Sequence, residues 1–114
     1  MRVLLFGPQL ECADIISKFC QFGNSKMYSF IHTEDTDNFL ELLVNESPNL
    51  IIVLSNGANG MERVITARNI YPDVPLFWIS DDKDFGAQSY RLQCNYFMVK
   101  PITVKKLEKA IETL

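Results

Sequence analysis

The feature that most constrains this sequence is a rhythm. Short, continuously apolar runs recur along it, and between them apolar residues fall at helical spacing. The clear runs are Val3-Leu4-Leu5-Phe6, Leu50-Ile51-Ile52-Val53-Leu54, Leu76-Phe77-Trp78-Ile79 and Tyr96-Phe97-Met98-Val99. A weaker one, Met27-Tyr28-Ser29-Phe30-Ile31, fits between the first and the second. Runs this short with no polar alternation are the pattern of strands buried on both faces, as in a parallel sheet covered by helices.

The intervening segments read as helices. Ile15, Ile16, Phe19 and Cys20 form an apolar stripe after Pro8, and Phe39, Leu40, Leu43 and Val44 form another behind the capping-prone stretch from Thr33 to Asp37. Met61, Val64, Ile65 and Ile70 make a third, closed at Tyr71-Pro72 because proline cannot continue a helix. Residues 84–92 give a short, weakly amphipathic fourth. The last is the clearest, with Thr103 as N-cap and Val104, Leu107, Ala110, Ile111 and Leu114 on one side.

Strand and helix alternating five times, without linkers or repeats, predict one α/β domain over residues 1–114. Its architecture is a doubly wound, five-stranded parallel sheet with helices on both faces. Right-handed crossovers then bring every strand's carboxyl end to one edge, where such folds bind ligands. Those ends are Gly7-Pro8, His32-Thr33, Ser55-Asn56, Ser80-Asp81 and Lys100-Pro101.

Composition removes several function classes. A net charge of -3 argues against nucleic-acid binding by clustered cations. The one basic cluster, Lys100, Lys105, Lys106 and Lys109, is interleaved with Glu108 and Glu112. No apolar run approaches the ~20 residues that span a bilayer, and Gly7-Pro8 ends the amino-terminal run without a signal-peptide cleavage site. A cytoplasmic location without membrane contact is the expectation. Cys12, Cys20 and Cys94 are odd in number and lack C-x-x-C spacing, so they read as small core or boundary residues.

The order and spacing of the strand ends resemble the receiver domains of bacterial response regulators over essentially the whole chain. The most specific piece is Tyr96-Phe97-Met98-Val99-Lys100-Pro101-Ile102, similar to that family's fifth strand with its aromatic, lysine and proline. Val74 to Ser80 is similar to the fourth strand ending in the switch hydroxyl, Pro48 to Val53 to the third, and Gly60-Met61-Glu62 to the start of the third helix. The resemblance implies a flavodoxin-like strand order 2-1-3-4-5.

It also implies a site. In the family an acidic pair after the first strand helps to hold Mg²⁺, and an aspartate ending the third strand accepts a phosphoryl group. Here the acidic pair falls on Gly7 and Pro8, and the acceptor on Leu54, or on Ser55 with a slip of one residue. Glycine and proline offer no side-chain oxygen to a hard cation, and leucine cannot be phosphorylated. The switch-side equivalents Ser80, Phe97 and Lys100 persist. A degenerate pseudo-receiver is expected, with no catalytic residue, no cofactor and no metal.

For the single residues the plain readings are favoured. Lys100 pairs with Asp81 or Asp82, or is solvated. Asp81 and Asp82 cap the following helix. Ser55 to Gly60 is a flexible turn, matching neither the P-loop nor G-x-G-x-x-G. His32 lacks the partners of a zinc site or a catalytic triad. Phe97 is a fixed packing residue.

The expected role is non-enzymatic: signal transduction by binding a protein partner or a second copy. The expected face is formed by the fourth helix, fifth strand and fifth helix, with Tyr90, Arg91 and Tyr96 as interface candidates. The alternatives are a receiver still phosphorylated through Ser55, Asp81 or Asp82, and a small-ligand sensor at the strand edge. The chain is also compatible with the amino-terminal part of a longer regulator.

Overall fold

The computed structural model describes residues 1–21 and 27–114. Strands β1 (Arg2–Phe6), β2 (Ser29–Thr33), β3 (Leu50–Leu54), β4 (Leu76–Ser80) and β5 (Tyr96–Val99) form one sheet. Helices α1 (Gln9–Gln21), α2 (Thr36–Glu46), α3 (Gly57–Ile70), α4 (Gly86–Arg91) and α5 (Val104–Glu112) connect and flank them. The strand order is 2-1-3-4-5, every pairing parallel, as the sequence rhythm and the resemblance lead one to expect.

The sheet separates two cores because successive side chains of a strand point to opposite faces. Val3, Leu5, Ile52, Leu54, Phe77 and Ile79 pack with Ile15 and Phe19 of α1 and Leu107 and Ala110 of α5. Leu4, Phe6, Ile51, Val53, Leu76 and Trp78 pack with Phe39 and Leu43 of α2 and Val64 and Ala67 of α3. The central strands β3 and β4 are buried throughout, while β2 and β5, at the two edges, are partly open. That difference explains why the run at Met27 was the weakest in the sequence.

Several boundaries differ from the sequence reading. Strand β2 runs Ser29–Thr33, two residues later than Met27 to Ile31, because its register pairs Arg2 with Ser29 and Phe6 with Thr33. Polar Thr33 is held there by backbone pairing, its carbonyl accepting from Gly7 N at 3.0 Å. In α2 only Phe39 and Leu43 are buried, and Leu40 and Val44 face outward. Leu114 is likewise exposed, and Cys20 lies on the surface, so the boundary reading fails there. Thr103 does cap α5, its hydroxyl accepting from Lys106 N at 3.1 Å.

The edge opposite the strand carboxyl ends is stapled by Arg68 of α3. Its Nε donates to Leu92 O, Nη1 to Tyr71 O and Val74 O, and Nη2 to Gln93 O and Asn95 Oδ1. All five guanidinium donors are thus used, which only the rigid fork of arginine permits. Asn95 Oδ1 also accepts from Leu76 N at 2.9 Å, tying the start of β4 to the same knot. No helix is long and apolar enough to cross a membrane among the described residues.

Candidate functional site

The carboxyl ends of β1, β3 and β5 border a cleft of about 360 Å³ lined by Gly7, Pro8, Glu11, Glu34, Leu54, Ser55, Asn59 and Lys100, among others. Its floor is decided by Gly7, whose φ of +154° lies in the region that favours glycine. A Cβ there would stand 2.6 Å from Leu54 O and 2.8 Å from Leu54 Cβ. Gly7, where the resemblance expects an acidic-pair member, and Leu54, one of the two positions it expects for the acceptor, therefore lie against each other. Pro8 is exposed and its carbonyl accepts from Cys12 N at 3.0 Å, opening α1.

Lys100 departs from the sequence expectation. Its Nζ is bonded to Oε1 of Glu11 in the first turn of α1, and neither Asp81 nor Asp82 is its partner. Those two residues are occupied elsewhere. Asp82 Oδ1 accepts from Asp84 N at 2.9 Å, capping a single 3-10 turn, as expected of a capping aspartate. Asp81 N donates to Asn56 Oδ1 at 2.9 Å.

The segment Ser55 to Gly60 is not the flexible turn expected from its glycines. Helix α3 begins at Gly57, three residues before the sequence start at Gly60, with Asn56 in the N-cap position. Trp78 Nε1 donates to Ser55 O at 2.8 Å, and Asn59 Nδ2 donates to Ser55 Oγ at 2.9 Å. Gly60 lies so close beneath that a Cβ would meet Ser55 O at 2.2 Å. The indole of buried Trp78 thus anchors the start of the segment.

Ser80 and Phe97, expected with Lys100 as the switch-side equivalents, are held within the fold. Ser80 is fully buried and its hydroxyl accepts from Asp82 N at 3.0 Å. The Phe97 ring stands edge-on to Trp78 at 5.3 Å, and Phe85 does the same at 5.7 Å. His32 Nε2 donates to Gly7 O at 2.8 Å, which fixes the β1 end and commits that nitrogen. Of the interface candidates, Tyr90 is 85% exposed and Arg91 is exposed. Tyr96 is half-buried, edge-on to Phe77 at 6.0 Å.

Two of the three thiols, Cys12 and Cys94, are shielded by their environment. Burial pushes Cys12 up to about 12, with Glu11 and Glu34 adding to it. Burial pushes Cys94 to about 11, partly opposed by Arg68. Glu11, Arg68 and Trp78 are the residues sequence reasoning missed. Glu11 carried one signal, an acidic residue in a helix's first turn, but its partner lies 89 residues away.

Comparison with known proteins gives a consistent answer from structure alone. No family model matches the sequence, and no curated protein matches it. Among solved structures, a CheY-like response regulator of Mesorhizobium loti superposes with a TM-score of 0.77 at 21% identity, covering 98% of this chain and 96% of that one. A signal receiver domain of a two-component histidine kinase from Clostridium thermocellum gives 0.78 at 20% identity, covering 98% and 94%. A protein described as the CpaE2 pilus assembly protein of Sinorhizobium meliloti gives 0.77 at 16%, covering 98% of each. This is the receiver fold.

In receiver terms, the site does not fit the Mg²⁺ that the fold implies. A hard cation needs several oxygen ligands at one point. Gly7 and Pro8 supply none from side chains, a Cβ at Gly7 has no room, and Glu11 is spent on Lys100. No group of three or more His, Cys, Asp or Glu side chains comes together among the described residues. What the cleft offers is one paired cation, a carboxylate at Glu34, and the amide and hydroxyl of Asn59 and Ser55 bonded to each other.

Proposed function

We propose that the chain is a pseudo-receiver: a non-enzymatic, cytoplasmic signalling module that acts by contact with a protein partner and without phosphorylation. The observation that carries this reading is the close approach of Gly7 to Leu54, two residues without a side-chain oxygen, which leaves no room for a side chain at position 7. Phosphoryl transfer is mainly positioning and charge cancellation, and both require oxygens that these residues lack. Two further features support it. Lys100 is paired with Glu11 of α1 and not with a group at the end of β3, and the Phe97 ring stands edge-on to buried Trp78.

The partner face in this reading is α4, β5 and α5. Tyr90 presents nearly its whole side chain, with Arg91 beside it, and Tyr and Arg are enriched at interfaces. Tyr96 contributes less, because its ring is partly spent on Phe77. The test has two arms. Mg²⁺ with beryllofluoride is expected to leave the amide signals of Leu54, Ser80 and Lys100 unmoved; a saturable shift overturns phosphorylation independence. Tyr90→Ala with Arg91→Ala is expected to abolish partner or self contact, and contacts surviving intact overturn the assigned face.

A further inference from the structure

A second cleft lies beside the first, between α1 and the segment following β5. It measures about 460 Å³ and its lining is mostly apolar, with Ile15, Leu54, Ile79 and Ile102 inside and Leu10 at the mouth. That volume falls in the range of small-molecule sites, ~300–1,000 Å³. Leu10 is 85% exposed, although a helix-borne leucine beside an apolar cleft gains by covering it. The two clefts have three residues in common, Glu11, Leu54 and Lys100. The Glu11–Lys100 ion pair is therefore the partition between an apolar chamber and a polar one.

The partition is partly open to solvent. Lys100 keeps 25% of its side chain exposed and Glu11 keeps 38%. A pair about a third exposed contributes modestly to stability, and Glu11 has water to turn into. The other charges on the apolar cleft, Asp14 and Lys18, are paired with each other. Both cations of the cleft are thus paired, and Lys100 is the one that also lines the polar cleft.

We infer that this is a ligand site for a small carboxylic acid with an apolar chain. The chain lies along Leu54, Ile79 and Ile102, and the carboxylate replaces that of Glu11 on Lys100. Glu11 is then a built-in competitor, a carboxylate of the protein's own holding the cation until a better-anchored one arrives. The anchor is hydrophobic burial, which a free phosphate or acetate lacks. The site is separate from the proposed partner face and does not depend on it.

The probe is a series of straight-chain acids, butyrate, hexanoate and octanoate, titrated into the whole chain by calorimetry and amide shifts. Affinity is expected to rise by up to about fourfold per added methylene, with saturable shifts at Leu54, Ile79, Lys100 and Ile102. Octanol, which lacks the carboxylate, is expected to bind more weakly than octanoate. Glu11→Gln removes the competitor and is expected to tighten octanoate by about fivefold, while Lys100→Gln removes the preference for acid over alcohol. Tyr90→Ala leaves all of these values unchanged. A flat chain-length series, equal binding of octanol and octanoate, or weaker binding by a folded Glu11→Gln variant overturns the proposal. The chain-length series needs no variant, so it decides the matter even where a substitution harms folding.

Discussion

Replacing Gly7 by alanine tests the tight approach of Gly7 to Leu54 with one methyl group. Two costs add. Holding a residue with a Cβ at φ +154° costs ~1–3 kcal/mol. Pressing that Cβ to 2.6 Å from Leu54 O and 2.8 Å from Leu54 Cβ is overpacking against a strand with no room to retreat, ~1–3 kcal/mol more. The expected loss is about 4 kcal/mol, a large share of the ~5–15 kcal/mol total of a typical domain. Two other glycines calibrate it. Gly57 has φ +59° but open space, its Cβ meeting only Phe85 at 3.8 Å, so Gly57→Ala carries the conformational cost alone, about 1 kcal/mol. Gly86 sits in right-handed helix at φ -57° with Phe97 at 3.9 Å, so Gly86→Ala stabilises by ~0.4–1 kcal/mol. Equilibrium urea unfolding followed by the fluorescence of Trp78, buried and the single tryptophan, reads all three. With a slope of ~1–3 kcal/mol per molar urea, the Gly7→Ala midpoint falls by about 2 M. A Gly7→Ala midpoint equal to wild type, or above that of Gly57→Ala, refutes the steric closure.

Other expectations follow from the same geometry. Arg68→Ala frees Leu92, Tyr71, Val74, Gln93 and Asn95 of one donor each and is expected to cost about 3 kcal/mol by the same urea assay, allowing for water reaching some carbonyls; Arg68→Lys recovers only part of it, since an ammonium cannot span the fork. Thr103→Ala removes the α5 cap and is expected to cost about 1 kcal/mol. Iodoacetamide at mildly alkaline pH is expected to label Cys20 first, with Cys12 and Cys94 lagging, as read by peptide mass spectrometry. Cys12 and Cys94 have folded pKa values above the ordinary 9.0, so the folded chain holds their protons longer; their contribution is complete below pH 9 and is lost as pH rises toward 11 and 12. Unfolding midpoints that stay level from pH 8 to 11 would contradict that linkage.

The architecture was legible because burial on both faces of a strand leaves a local mark. Leu50 to Leu54 and Leu76 to Ile79 are apolar without interruption, and that alone places them in a covered parallel sheet. Caps are equally local, so Thr103 and Asp82 were readable within four residues of what they bind. That Gly7, Pro8 and Leu54 carry no side-chain oxygen was also plain, since this is a property of the residue itself.

What holds the site was not legible, because it depends on partners that only the fold brings together. Glu11 and Lys100 are 89 residues apart and meet because β1 and β5 end on the same edge of the sheet. Ser55 to Gly60 has a flexible composition, yet the indole of Trp78, 23 residues on, fixes it. The residue types alone determined what chemistry is missing at the strand edge. The tertiary structure decided what fills its place, because contact at a few ångströms is a property of pairs, and a sequence states only their members.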